Sequence, residues 1–278
     1  VILKGGSEAL QSNIVIAGIL TQAAEAAGIP AGAIQFVDSS DRQAVTDLIK
    51  MNGLVDVVIP RGGAGLIQAV VQNATVPVIE TGIGVCHTYV DAGADYDMAR
   101  AIAINAKVQR PAVCNAMETL LVHEDAAAEF LPQMLTEYFA AGVTIIGCGK
   151  TQAFDKRIQA ATEADWATEY GDLRLSVKIV SGLEEALAHI AKYGTKHSEC
   201  IVTSDYNHAR TFQQRVDAAA VYVNASTRFT DGFEFGFGAE IGISTQKLHA
   251  RGPMALPELT SSKYLISGDG QIRGLFLN

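Results

Sequence analysis

The sequence lacks long hydrophobic runs and has few of the residues that mark secreted or nucleic-acid-binding proteins. It contains no apolar run of about eighteen residues, so we expect no transmembrane helix, and no signal peptide is visible. Its four cysteines have neither zinc-ligand spacing nor the density of a disulfide scaffold. Acidic residues outnumber basic ones by 30 to 21, and the net charge of −9 argues against nucleic-acid binding. We therefore expect a cytoplasmic protein with reduced thiols that binds neither membranes nor nucleic acid.

Short apolar runs instead alternate with amphipathic stretches along most of the 278 residues, as in an α/β protein. The apolar runs predict strands at Val1–Leu3, Ile34–Val37, Val55–Ile59, Val76–Ile79, Val85–Val90, Glu118–Val122, Val143–Ile146, Val177–Val180, Ile201–Thr203 and Ala219–Val223. The amphipathic stretches predict helices at Glu8–Ala27, Asp41–Met51, Gly62–Gln72, Asp95–Val108, Ala126–Ala141, Leu183–Lys192 and His208–Val216. Apolar strands alternating with helices indicate parallel sheets covered on both faces.

One cysteine has the setting of a nucleophile. Cys114 lies in a short predicted loop between a helix and an apolar strand, and Arg110 precedes it by four residues. A thiol is reactive where its thiolate is exposed and electrostatically favoured. Cys148 and Cys200 lie at or beside predicted strands and are interpreted as buried, inert thiols. Cys86 adjoins His87, but neighbouring strand residues point to opposite faces, so Cys86 is interpreted as a core residue or a support for the site.

The segment Gln109 to His123, QRPAVCNAMETLLVH, closely resembles the nucleophile segment of the γ-glutamyl phosphate reductase family, within the aldehyde dehydrogenase superfamily. The resemblance runs from Val1 to about Lys263. It implies an aldehyde dehydrogenase-like α/β fold with two Rossmann-type αβα lobes and a small C-terminal oligomerisation segment. It also implies an N-terminally truncated member, since the sequence has no initial Met and begins directly in a predicted strand.

The domains implied by the resemblance are a partial dinucleotide-binding domain, a catalytic domain and a C-terminal segment. The first spans residues 1–82 and lacks its first strand–helix unit, and the second spans residues 83–255. Residues 256–278 are expected to return to the first domain and to form an oligomer interface. A homo-oligomer is expected, and association with glutamate 5-kinase is a further expectation.

The activity implied by the resemblance is NADPH-dependent reduction of L-glutamyl 5-phosphate to L-glutamate 5-semialdehyde in proline biosynthesis. Cys114 would form the thioester, and backbone N–H groups around Cys114 and Asn115 would stabilise the oxyanion. Arg110 would bind the leaving phosphate or lower the pKa of the thiol. Two alternatives stay open: a hydrolytic aldehyde dehydrogenase that uses Glu80 to activate water, and an inactive fragment that retains only the fold.

Two glycine-containing turns are candidates for cofactor binding. The first follows the first predicted strand and consists of Lys4, Gly5, Gly6 and Ser7. It offers a lysine and a serine where NAD-selective sites usually place an acidic residue, which favours NADP. The second precedes a predicted helix and consists of Arg61, Gly62 and Gly63, whose backbone could approach a pyrophosphate. Either motif taken alone also fits an ordinary turn, because short glycine motifs are weakly specific.

A loop dense in hydrogen-bonding groups follows the last predicted strand of the second lobe. Its candidate substrate-binding residues are Asn224, Ser226, Thr227 and Arg228. Arg228 could bind a substrate carboxylate bidentately, and loops on a rigid scaffold commonly carry binding function. No pair among the six histidines has metal-ligand spacing, so we expect no metal.

Overall fold

The computed structural model describes residues 1–248 and 250–274, and it divides into two compact units. The first unit is Val1–Gly82, and the second begins at Ile83. Residues 275–278, the end of the predicted C-terminal segment, lie outside the described residues. Among the helices of the described residues, none has the length and apolar character needed to cross a membrane.

The first unit contains short strands and three α-helices within the described residues. Its elements are β1 (Ile2–Leu3), α1 (Leu10–Ala26), β2 (Gln35–Phe36), α2 (Gln43–Leu48) and α3 (Ala64–Asn73). β1 pairs with β2 in parallel. The predicted strands Val55–Ile59 and Val76–Ile79 are joined by a single parallel bridge between Val58 and Val78, so the prediction of two full strands is wrong. Pro60 and Pro77 explain the short pairing, because proline has no N–H to extend a ladder.

The second unit is built on a seven-stranded sheet in which every pair of neighbours is parallel. The strands are β3 (Cys86–Val90), β4 (Met117–His123), β5 (Thr144–Gly147), β6 (Gln159–Ala160), β7 (Arg174–Val180), β8 (Ser198–Val202) and β9 (Ala220–Val223), in the order β6-β5-β7-β4-β3-β8-β9. The helices are α4 (Tyr96–Val108), α5 (Glu124–Ala140), α6 (Gly149–Gln152), α7 (Leu183–Tyr193) and α8 (Tyr206–Arg215). An antiparallel pair follows, formed by β10 (Gly242–Ser244) and β11 (Gly252–Met254).

Helices cover both faces of this sheet, as the continuous apolar strands predict. Side chains alternate across the sheet, so Leu120 and Val122 of β4 pack with α4 and α5, while Leu121 packs with α7 and α8. The predicted parallel α/β architecture is therefore confirmed.

The strand order brings three loops to one edge of the sheet. β3 lies between β4 and β8, and all three strands run in the same direction. The segments before these strands therefore meet at their amino ends. One of those segments carries Cys114.

Candidate active site

Cys114 lies in the eight-residue loop, residues 109–116, that connects α4 to β4. The thiol-bearing residue is half-buried. The Ala116 N–H donates to the Val113 carbonyl at 2.9 Å, which closes a tight turn around Cys114. The Cys86 thiol donates to the Cys114 carbonyl at 3.2 Å. Most open parallel sheets bind ligands at the carboxyl ends of their strands, whereas this nucleophile candidate lies at the amino ends.

Gly84, two residues before β3, lies against the Cys114 backbone. A Cβ atom at Gly84 would lie 1.6 Å from the Cys114 carbonyl oxygen, so only glycine permits this approach. The Gly84 N–H donates to Glu169 Oε1 at 3.0 Å, and the Val85 N–H donates to Thr195 Oγ1 at 3.0 Å. Sequence reasoning missed Gly84, and the only sequence signal is its place among glycines just before a strand.

Asn115 joins the nucleophile loop to the predicted substrate loop. Its Nδ2 donates to the Thr230 carbonyl at 2.9 Å, and its carbonyl accepts from Thr227 Oγ1 at 2.7 Å. Asn115 is 4% exposed, and its Oδ1 has no hydrogen-bond partner within the part of the chain that the structure describes. The two predicted site segments therefore meet, although they are more than a hundred positions apart in sequence.

Arg228 brings positive charge to the same loop. Its Nε donates to Gln109 Oε1 at 2.9 Å. Partial burial, followed by repulsion from Arg110, lowers the pKa of the Arg228 guanidinium, and the negative form of Cys114 acts in the opposite direction. Arg110 itself is exposed. Arg228 thus interacts electrostatically with both Arg110 and Cys114, and its guanidinium is suited to an anionic substrate.

Asn224 and Ser226 hold the backbone of the substrate loop. Asn224 adopts a left-handed conformation with φ of 55°, and its amide both accepts from the Thr203 N–H and donates to the Thr203 carbonyl, each at 2.9 Å. Ser226 Oγ accepts from the Arg228 N–H at 3.3 Å. These contacts give Asn224 and Ser226 a role in the shape of the loop.

The other three cysteines differ in burial and in thiol pKa more than the sequence suggests. Burial, then the negative charge of Glu199, raises the pKa of Cys86 well above its usual value. Burial also raises the pKa of Cys200 to about 12. Cys148, interpreted as inert, is half-buried. Burial raises its pKa, but hydrogen bonds from the Thr151 hydroxyl and nearby backbone N–H groups outweigh it and lower the pKa overall.

The histidine near the Cys86 thiol is His197 rather than His87. The His87 Nδ1 pairs with Glu199 Oε2 at 2.9 Å, while the Cys86 Sγ lies 3.7 Å from His197 Nδ1. His197 is fully buried, and burial lowers its pKa to about 4. Sequence reasoning assigned no role to His197, because 111 positions separate it from Cys86.

The first cofactor motif lies between β1 and α1, and the second directly precedes α3. Lys4, directly after β1, donates through Nζ to the Gly5 carbonyl at 2.8 Å, and Gly6 and Ser7 lead into the turn before α1. Gly63 is the N-cap of α3, where it has no side chain to cover the helix N-terminus. Gly62 and the exposed Arg61 directly precede it. Glu80 is half-buried near the end of this unit.

No group of three or more His, Cys, Asp or Glu side chains is placed to bind a metal ion within residues 1–248 and 250–274.

The chain is similar to several proteins of one kind. It is 64% identical to a γ-glutamyl phosphate reductase of Moorella thermoacetica over 98% of this chain and 65% of the relative. It is 60% identical to the corresponding protein of Thermoanaerobacter pseudethanolicus over 98% of this chain and 66% of that protein. The chain thus spans about two thirds of the length of the relatives it matches.

Solved structures agree with the fold. The crystal structure of γ-glutamyl phosphate reductase from Thermotoga maritima matches with a TM-score of 0.95 and 51% identity, covering 98% of this chain and 66% of that one. An acetylating aldehyde dehydrogenase from Geobacillus thermoglucosidasius shares the fold, with a TM-score of 0.63 at 20% identity, covering 82% of this chain and 59% of that one. The model of the aldehyde dehydrogenase family matches residues 1–145, about half of the chain. The chain belongs to the aldehyde dehydrogenase family.

Proposed function

We propose that this chain is part of an enzyme that reduces L-glutamyl 5-phosphate to L-glutamate 5-semialdehyde and releases phosphate, in proline biosynthesis. The observation that carries the proposal is the 64% identity to a γ-glutamyl phosphate reductase over 98% of the chain. The geometry supports it, because the half-buried Cys114 lies in a loop that contacts a second loop bearing Arg228. The first loop supplies a thiol that could attack an acyl phosphate, and the second supplies a positive charge that could bind an anionic substrate.

In the proposed reaction Cys114 is the nucleophile. Its thiolate attacks the acyl carbon of the phosphorylated substrate, the bond to the phosphate oxygen breaks, and phosphate leaves with the electron pair, giving a thioester. The backbone N–H groups of Cys114 and Asn115 are the candidate donors to the oxyanion, a contribution worth about 3–4 kcal/mol when such a donor is removed. Arg110 is the candidate partner of the leaving phosphate, and it also favours the thiolate.

The first unit fits a nicotinamide dinucleotide. The α3 N-terminus behind Gly63 presents backbone N–H groups and a positive dipole end to an anion such as a pyrophosphate. Lys4 and Ser7, together with Gly5 and Gly6, offer a lysine and a serine directly after β1, and these residue types favour the 2′-phosphate of NADP. When bound, NADPH supplies the hydride that converts the thioester carbonyl to the aldehyde level.

Asn224, Ser226, Thr227 and Arg228 form the proposed substrate loop. We assign Arg228 to the substrate carboxylate and the other three to the shape of the loop, since their polar groups already contact Thr203, Arg228 and Asn115.

The domain roles follow the same proposal. Residues 1–82 hold the cofactor, residues 83–255 carry the chemistry, and residues 256–278 serve oligomer contacts. The enzyme is proposed to be a cytoplasmic homo-oligomer, and a complex with glutamate 5-kinase would deliver the labile acyl phosphate directly.

Phosphate dependence tests this function. A full-length enzyme that contains this chain should oxidise glutamate 5-semialdehyde with NADP⁺ only when phosphate is present, because phosphate must release the acyl group from Cys114. Oxidation at the same rate without phosphate would contradict the proposal and favour hydrolysis assisted by Glu80. Complete inactivity of the full-length enzyme with native folding would favour a protein that keeps only the fold.

Cofactor choice is tested in the same assay. The full-length enzyme should prefer NADPH, and Lys4→Ala should reduce the preference because a charge-assisted contact worth about 1.5–3 kcal/mol is lost. Lys50→Ala, which removes an exposed lysine elsewhere in the first unit, is the matched control. Equal use of NADH before any mutation would contradict the assignment of NADP.

A further inference from the structure

A buried ion pair joins the two ends of the loop that carries Cys114. Lys107 lies in the last turn of α4, and Glu118 is the second residue of β4. The Lys107 Nζ donates to Glu118 Oε2 at 2.6 Å, and the two side chains are 0% and 1% exposed. The partners are eleven positions apart, and the whole nucleophile loop lies between them.

Glu118 also contacts the segment that holds Gly84, the glycine packed against Cys114. Its second oxygen, Oε1, accepts from the Gly171 N–H at 3.2 Å. Two residues earlier, Glu169 accepts from the Gly84 N–H at 3.0 Å. Gly84 in turn lies directly against the Cys114 carbonyl. The segment containing Glu169 and Gly171 therefore links the ion pair to the glycine on which Cys114 rests.

Such a pair adds little net stability by itself. Desolvating two charges offsets most of their attraction, and apolar residues of similar volume often replace buried ion pairs without loss of stability. Burial is the largest influence on both partners: it raises the pKa of Glu118 to about 7 and lowers the pKa of Lys107, against the effect of their mutual attraction. What the pair does supply is a fixed distance between the end of α4 and the start of β4.

We infer that Lys107 and Glu118 are positioning residues that set the span of the nucleophile loop and thereby the placement of Cys114. The catalytic consequence rests on the proposed function, whereas the effect on the loop does not. Removing the pair should release the loop locally and leave the sheet intact.

Two variants test the inference. Lys107→Met combined with Glu118→Gln replaces the charges with neutral groups of similar size, and Glu118→Asp keeps the charge but shortens the side chain. Asp91→Asn is the control, because Asp91 is equally buried but lies just beyond the carboxyl end of β3, where it accepts from His208 Nδ1 at 2.6 Å.

Hydrogen exchange gives a readout that does not require turnover. The Gln109 and Ala116 N–H groups donate to Asn105 and Val113 carbonyls at 3.3 and 2.9 Å, so their exchange reports on the loop. In the double variant of this chain, the amides of Gln109 and Ala116 should exchange at least about tenfold faster than in the wild type, while the exchange rates of the β7 amides stay the same. In the full-length enzyme kcat should fall at least about tenfold while KM changes less than about twofold. Glu118→Asp should give smaller changes of the same kind.

The following results would overturn the inference: wild-type loop exchange in the folded double variant, faster loop exchange with unchanged kcat, equal acceleration across the sheet, or the same loop effect in Asp91→Asn. Failure of both test variants to fold would also overturn it, since the pair would then serve the fold as a whole. Retained turnover in Cys114→Ala would contradict the proposed function instead, and loop exchange would still decide the role of the pair.

Discussion

Among single residues, Arg228 makes the most specific prediction about substrate binding. The guanidinium is half-buried, donates to Gln109 and is electrostatically coupled to Cys114. Arg228→Ala in the full-length enzyme should raise KM for the semialdehyde at least about tenfold, which corresponds to about 1.4 kcal/mol. The effect on kcat should be smaller, and steady-state kinetics measures both.

Arg251→Ala is the matched control for Arg228. Arg251 donates to Asp217 Oδ1 at 2.8 Å, so its charge is already paired within the fold. An unchanged KM in a stable Arg228→Ala variant, or an equal rise in KM in Arg251→Ala, would show that Arg228 does not bind the carboxylate.

From the sequence, individual site residues can be predicted better than the contacts between them. Its loop setting and Arg110 four residues earlier predict Cys114 as the nucleophile, and both are local features. The hydrogen bond between Thr227 and Asn115 joins positions 112 apart, and the contact of Gly84 with Cys114 depends on strand order. Neither contact has a local sequence signal, because both arise from tertiary packing.

Among the elements, the approach of the segment before β3 to the nucleophile loop gives a second prediction. Gly84→Ala would place a methyl group 1.6 Å from the Cys114 carbonyl oxygen, which is backbone and cannot rotate away. The loop must shift, at a cost of about 1–3 kcal/mol for overpacking. The full-length variant should fold, melt at a lower temperature and lose most of its kcat.

Gly93→Ala serves as the control for Gly84→Ala. Gly93 follows the carboxyl end of the same strand, and an added Cβ there meets no atom within 4 Å. Thermal melting and kcat of Gly93→Ala should resemble the wild type. If Gly84→Ala also behaves like the wild type, the close contact does not place Cys114.

Periodicity predicted the long elements of the second unit and missed the short ones. Strands β3, β4, β7 and β8 are largely buried between helices, and β9 is partly buried beside them, so their apolar residues give a strong sequence signal. α6 and β6 have four and two residues, and β10 and β11 have three each, which is too short for a recognisable period. The long-range pairing that forms these short elements is not encoded in any local pattern.

At the scale of the whole molecule, buried neutral histidines make stability depend on pH. His189 is 3% exposed, and neither ring nitrogen has a hydrogen-bond partner among the described residues. Burial, followed by the charge of His87, lowers its pKa to about 3. An unfolded histidine binds a proton below about pH 6.5, whereas folded His189 does not. The contribution of neutral His189 to the free energy of unfolding is therefore fully present above about pH 6.5 and is lost as the pH falls.

His189→Phe tests this linkage. The ring packs near Trp166 and Tyr193, with centroid distances of 5.4 and 4.6 Å, so an apolar ring suits the position. Between about pH 7 and about pH 5, the Tm of this variant should fall less than that of the wild type. Thermal melts of this chain across that range measure the difference.

His208→Asn should change the pH dependence of Tm in the opposite direction to His189→Phe. A hydrogen bond to Asp91 raises the pKa of His208, so its contribution is present below the unfolded pKa and is lost as the pH rises. Without it, the Tm should fall more on acidification. Identical slopes in the wild type and His189→Phe would rule out His189 as a cause of the acid sensitivity.

Whether Cys114 is the nucleophile is tested most sharply by identifying the residue that carries the acyl group. A full-length enzyme containing this chain would be mixed with glutamate 5-semialdehyde and NADP⁺ without phosphate, quenched in acid, digested and analysed by mass spectrometry. We expect a glutamyl thioester on Cys114 that disappears when phosphate is added before the quench. An acyl group on Cys148 or another residue, or turnover with no acyl group on Cys114, would show that Cys114 is not the nucleophile.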